Sequence, residues 1–75
     1  MEVQIHGVYK HFKGNLYIVE DIALNSQNLE KMVVYRALYG EKTLWVRPYK
    51  EFVEEVLGKN QKYRFELQNI DDKSN

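Results

Sequence analysis

Gly7-Val8-Tyr9-Lys10-His11-Phe12-Lys13-Gly14-Asn15-Leu16-Tyr17 is the stretch that decides the fold. Residues 7–13 are β-prone, and Gly14-Asn15 is a dipeptide that tolerates the positive φ of a tight turn, so the segment reads as the start of a hairpin. The return strand runs from Leu16 to Leu24. Alternation puts Tyr17, Val19, Asp21 and Ala23 on one face and Leu16, Ile18, Glu20, Ile22 and Leu24 on the other. The second set is the more apolar, and it is the face expected to meet the core.

Asn25-Ser26-Gln27-Asn28 is polar and turn-prone, and beyond it Met32 to Tyr39 is rich in β-branched and aromatic residues, as a third strand should be. Gly40-Glu41-Lys42 makes a compact turn into a fourth strand, Thr43 to Arg47. Pro48 ends that strand and suits the first turn of a helix. Phe52, Val53, Val56 and Leu57 recur at helical spacing, so Pro48 to Leu57 is expected to lay one apolar stripe on the sheet until Gly58 stops it. Tyr63, Phe65 and Leu67 alternate with Arg64 and Glu66 in a last, half-buried strand. The expected fold is mostly β: a small SH3-like barrel of about five antiparallel strands with one short helix before the last strand. Residues 1–70 form a single domain, and residues 71–75 are a polar, disordered tail.

The chain has 75 residues, which limits it to one thin core and makes a deep pocket improbable. It has no cysteine, which removes disulfides, thiol nucleophiles and thiolate metal sites and favours a reducing, cytoplasmic setting. No segment has the length or apolar character of a membrane span or a secretory leader. Eleven basic residues balance eleven acidic ones, so the broad positive field of a strong nucleic-acid binder is missing. The charge is nonetheless uneven: Lys10, His11 and Lys13 stand without an acid, whereas Glu51, Glu54 and Glu55 crowd together.

Val33-Val34-Tyr35 with Leu38-Tyr39-Gly40, and Leu44-Trp45-Val46-Arg47-Pro48 with Phe52, add two further motifs to the opening stretch. Together and in this order they resemble the domain of unknown function 1653 family, from Gly7 to about Phe65. The resemblance implies a small prokaryotic protein or module with an SH3-type barrel. It implies no activity, because the family has none established. Where the family usually has a His-Ser-Glu-Thr turn this chain has Asn25-Ser26-Gln27-Asn28, keeping only the serine. Methionine and proline are usual in the family where Glu51 and Tyr63 stand here; Pro48, Phe52, Arg64 and Phe65 fit its pattern.

The chemical inventory favours binding over catalysis. Ser26, Ser74 and Thr43 with His6 and His11 show no spacing that would build a nucleophilic site, and adjacent Glu20 and Asp21 point to opposite faces of a strand. No metal-ligand spacing or phosphate-binding loop is present, so no cofactor and no metal are expected. Aromatic and basic residues are the stronger lead. Tyr9, His11 and Lys13 share a face of the first strand, Trp45 and Arg47 share a face of the fourth, and Arg36 lies opposite Tyr35 on the third. These six are the candidate ligand-binding residues, of the types that binding hot spots favour. The expected function is a non-catalytic binding module for a protein or peptide partner. Weak single-stranded nucleic-acid binding on the same surface is one alternative. A small-molecule or nucleotide-sensing accessory domain is another, for which a pocket lined by Tyr17, Tyr39 and Trp45 would be diagnostic.

Overall fold

The computed structural model describes residues 2–69; the tail expected at residues 71–75 lies outside the described residues. Five strands appear in chain order: β1 (Val8–His11), β2 (Leu16–Leu24), β3 (Lys31–Ala37), β4 (Leu44–Pro48) and, after the one-turn helix α1 (Tyr49–Phe52), β5 (Phe65–Leu67). They form one antiparallel sheet in the order β4-β3-β2-β1-β5. The β1–β2 hairpin closes through Gly14, whose φ of 110° requires glycine, with its N–H donating to the His11 carbonyl.

The outer strands β4 and β5 are not hydrogen-bonded to each other, so the barrel is loose rather than closed. It is nevertheless strongly curled. Three inter-strand gaps separate β3 from β5, about 14 Å in a flat sheet. The Tyr35 ring of β3 and the Phe65 ring of β5 are only 5.4 Å apart. The cavity of the curl is filled by Tyr9, Val19, Val33, Tyr35, Phe52 and Phe65, with Val3, Tyr17, Ile22, Tyr49 and Val53 packed around them. α1 is the plug: Phe52 is fully buried, stacks flat on Phe65 at 4.0 Å and meets Tyr9 and Tyr35 edge-on.

Two expectations are corrected. The face of β2 that meets the core is that of Tyr17 and Val19, not that of Leu16, Ile18 and Glu20. Val19 pairs with Tyr35 but Asp21 pairs with Val34, so Glu20 is an extra residue in a β-bulge. The bulge reverses the alternation, and Ile22, opposite Val33, therefore also reaches the core. Glu20 itself binds Arg36 on the outer surface, with Oε2 3.0 Å from Nε.

The helix is also much shorter than the Pro48–Leu57 expected. After Val53 the chain turns into a two-sided excursion. The Val56 N–H donates to the Lys62 carbonyl, the Arg64 N–H donates to the Glu54 carbonyl, and Glu55 bridges to Tyr63. These pairings take the backbone groups that helix continuation needs, and they leave Leu57 89% exposed. The two apolar side chains of the expected stripe thus have opposite energetics. Phe52→Ala should cost about 3–5 kcal/mol, whereas Leu57→Ala should stay within about 0.5 kcal/mol; urea unfolding of the two variants measures both.

Candidate functional site

The inner face of the curled sheet is more than a core, because toward one rim its rings come to the surface. Tyr17, at the centre of that rim, is edge-on to His11, Tyr35, Tyr39 and Phe65, at centroid distances between 5.4 Å and 6.5 Å. Its hydroxyl lies 2.9 Å from that of Tyr39, and burial together with this neutral hydrogen bond pushes the Tyr17 phenol up to about 12. Tyr17 is thus a neutral structural ring at ordinary pH. Tyr39 is 42% exposed and carries the array out to solvent.

Arg47 reaches across this floor from β4. Its Nε donates to the Tyr35 hydroxyl at 3.2 Å, its guanidinium carbon stands 5.7 Å above the Phe65 ring, and one terminal nitrogen lies 3.7 Å from a Glu51 carboxylate oxygen. A rigid planar cation held from two sides loses little freedom on meeting a ligand. Trp45 pairs with Tyr35 across the β3–β4 ladder, which puts its indole on the same face as Tyr35 and Arg47. It makes no ring contact among the described residues and is 49% exposed.

His11 closes the other side. It stacks on Phe12 at 4.4 Å, meets Phe65 edge-on at 4.9 Å, and accepts the Lys13 N–H at Nδ1. Burial, followed by the positive charges of Arg47, Arg64 and Lys13, lowers its pKa below the ordinary 6.5. The ring is therefore neutral at pH 7, and of the three cations that act on it Arg47 and Arg64 are themselves ion-paired, to Glu51 and Glu54.

Of the six residues expected from sequence, His11, Trp45 and Arg47 are on this face, and Lys13 adjoins His11 in the turn beyond β1. Tyr9 and Arg36 are corrected. Tyr9 shares the inner face with His11 but is completely buried, with its hydroxyl accepting the Gln4 N–H at 2.8 Å, so it supports the floor from beneath. Arg36 lies on the outer face, tied to Glu20 and to the Lys42 carbonyl. Arg64 adjoins the rim and Phe65, buried like Tyr9, forms its floor, neither having been singled out for it. Arg64 holds Glu54 at 2.7 Å, and its Nε is buried without a partner among the described residues.

A separate cavity of about 340 Å³ is lined by Gln4, His6, Gly7, Val8, Leu67, Gln68 and Asn69. It shares no residue with the aromatic rim, and Tyr17, Tyr39 and Trp45 do not line it. Among the described residues no three His, Asp or Glu side chains stand close enough to hold a metal ion, and no helix is long and apolar enough to cross a membrane.

This curled five-stranded sheet with its Phe52 plug extends over the same region that a family model, "Protein of unknown function (DUF1653)", matches: residues 7–67. The chain belongs to the DUF1653 family. A crystal structure of a DUF1653 protein from Bordetella bronchiseptica is similar to it, with a TM-score of 0.69 and 31% identity over 79% of this chain and 80% of that one. No curated protein matches. The DUF1653 match covers every strand of the sheet and every residue of the aromatic rim, and it ends at Leu67.

The lowered pKa of His11 has a measurable consequence. The unfolded chain takes up a proton near pH 6.5 and the folded ring only at lower pH, so the His11 contribution to stability is complete above pH 6.5 and is lost as pH falls through this window. His11→Gln should flatten the dependence of Tm on pH between about pH 5 and 7.5 relative to the unsubstituted protein, as read by circular dichroism.

Proposed function

We propose that this domain is a non-catalytic binding module that meets a protein or peptide partner through the rim formed by His11, Lys13, Tyr39, Trp45 and Arg47. The observation that carries this reading is the half-exposed Trp45 indole on the same face as an Arg47 already fixed by Tyr35 and Phe65. Tryptophan and arginine dominate binding hot spots because one adds a large rigid apolar area and the other a planar set of donors. A pre-ordered arginine meets its partner at a lower entropic cost than a free one. Arg47 is already ion-paired to Glu51, so Lys13 is the rim cation that an acidic group of the partner would meet. We place the module in the cytoplasm of a prokaryote, in keeping with its lack of cysteine and its similarity to the protein from Bordetella bronchiseptica.

The rim also gives single-stranded nucleic acid some support, since stacking rings and cations are what such strands need. Salt separates the two readings: phosphate contacts release counterions and weaken steeply as salt rises. The test is affinity capture from lysate, followed by titration of the captured partner. Trp45→Ala and Arg47→Ala should each weaken binding about 30-fold or more, as a hot-spot loss of about 2 kcal/mol requires. Arg36→Ala, on the outer face, should leave it unchanged. Folded Trp45→Ala and Arg47→Ala variants that retain every partner would sink the proposal, and oligonucleotide binding that collapses with salt would replace it.

A further inference from the structure

β4 is an edge strand with an unusual composition. Leu44, Trp45 and Val46 follow one another along it and are 47%, 49% and 61% exposed, with no charge among them. Edge strands of soluble proteins are normally blunted by charge, by proline or by cover, because their free N–H and C=O groups are templates for another strand. Here only Arg47 and Pro48, both at the end of the strand, do so.

The direction of the free groups follows from the ladder. The Ala37 N–H donates to the Thr43 carbonyl, and the β3–β4 register continues Arg36 to Leu44, Tyr35 to Trp45, Val34 to Val46, Val33 to Arg47 and Met32 to Pro48. Hydrogen-bonded and non-hydrogen-bonded pairs alternate in an antiparallel ladder. Thr43, Trp45 and Arg47 therefore turn their backbone groups toward β3, and Leu44 and Val46 turn theirs outward. Pro48 falls on an outward position, where its missing N–H costs the sheet nothing.

We propose that this edge pairs with the same edge of a second copy of the chain, antiparallel about a twofold axis at Trp45, to make a continuous ten-stranded sheet. Two strands of identical sequence satisfy this geometry only if the outward-facing positions meet each other. Leu44 then faces Val46 of the second copy, Val46 faces its Leu44, and four backbone hydrogen bonds form between them. On the outer face these are two apolar cross-strand pairs. On the inner face the two Trp45 indoles become direct neighbours across the axis, at a non-hydrogen-bonded position where side chains are closest.

Charge is compatible with the pairing throughout. The residue on the axis, which alone must face its own copy, is neutral, and Arg47 faces Thr43. The same register brings the Glu41-Lys42 turn of one copy toward the start of α1 of the other, whose Lys50 and Glu51 are already ion-paired to Glu30 and Arg47. Thr43 opposite Arg47 also leaves the guanidinium free for its partner, so dimerisation joins two binding rims and each copy adds its indole to the border of the other's site.

A three-residue seam makes a concentration-dependent dimer. Sedimentation equilibrium of the full chain should show monomer passing to dimer with a midpoint between about 10 μM and 1 mM. Val46→Glu, an outer-face change that leaves the rim alone, should hold the chain monomeric across that range. Adding Leu44→Lys to it restores an oppositely charged pair in this register alone, and the double variant should regain dimer relative to Val46→Glu. Amide exchange at Leu44 and Val46 should slow as concentration rises. A protein that stays monomeric at about 2 mM, above the range a weak interface requires, overturns the proposal. So does a dimer that Val46→Glu leaves intact, or a double variant that regains nothing.

Discussion

The flat stack of Phe52 on Phe65, 4.0 Å between centroids and 3° from parallel, is the contact on which the rest of the molecule depends. Phe65 belongs to the last strand and Phe52 to the single helical turn, so the stack joins the ends of a long excursion in the chain. It also draws β5 under the sheet. With Phe65 held there, Tyr35 and Tyr17 close on it edge-on, Arg47 reaches over it from the opposite edge strand, and His11 packs against it. Core and rim are therefore one cluster. A domain of this length has too little interior to separate its core from its surface rings, and the two are packed together.

Local pattern was enough to read the strands, because residues 7–13, Leu16–Leu24 and Met32–Tyr39 carry β-prone runs punctuated by turn residues. It was not enough to read which face of β2 is buried. A single extra residue, Glu20, reverses the alternation half-way along the strand, and an unbroken period of two cannot express that. The helix was over-read for a related reason. Phe52, Val53, Val56 and Leu57 have helical spacing, but the pairing of Glu54 to Arg64 and Glu55 to Tyr63 is non-local and takes the backbone away after Val53.

The rim was legible to the same degree and with the same limit. Alternation on β4 places Trp45 and Arg47 on one face, whereas grouping Arg36 with them overlooks that alternation sets it on the opposite face of β3 from Tyr35. Alternation gives side and not depth, which is why Tyr9 looked equivalent to His11 although it lies a layer below, sealed under the Gln4 N–H. Arg64 and Phe65 had no local signal as site residues. Their position follows from the curl of the sheet, and the curl follows from Phe52.

The same geometry explains why the exposed aromatic side chains form a rim rather than line a pocket. Curling brings β3 and β5 close enough for their rings to touch, so side chains fill the interior and no ligand-sized space remains among them. What the filled interior provides is rigidity. Arg47 cannot fold away without losing Tyr35 and Phe65, and Tyr39 is held by the hydroxyl of Tyr17. Residues that are exposed and still fixed offer a partner contact area without the cost of ordering them. Trp45 stands on the same strand, so the uncovered β4 edge and the aromatic rim adjoin each other.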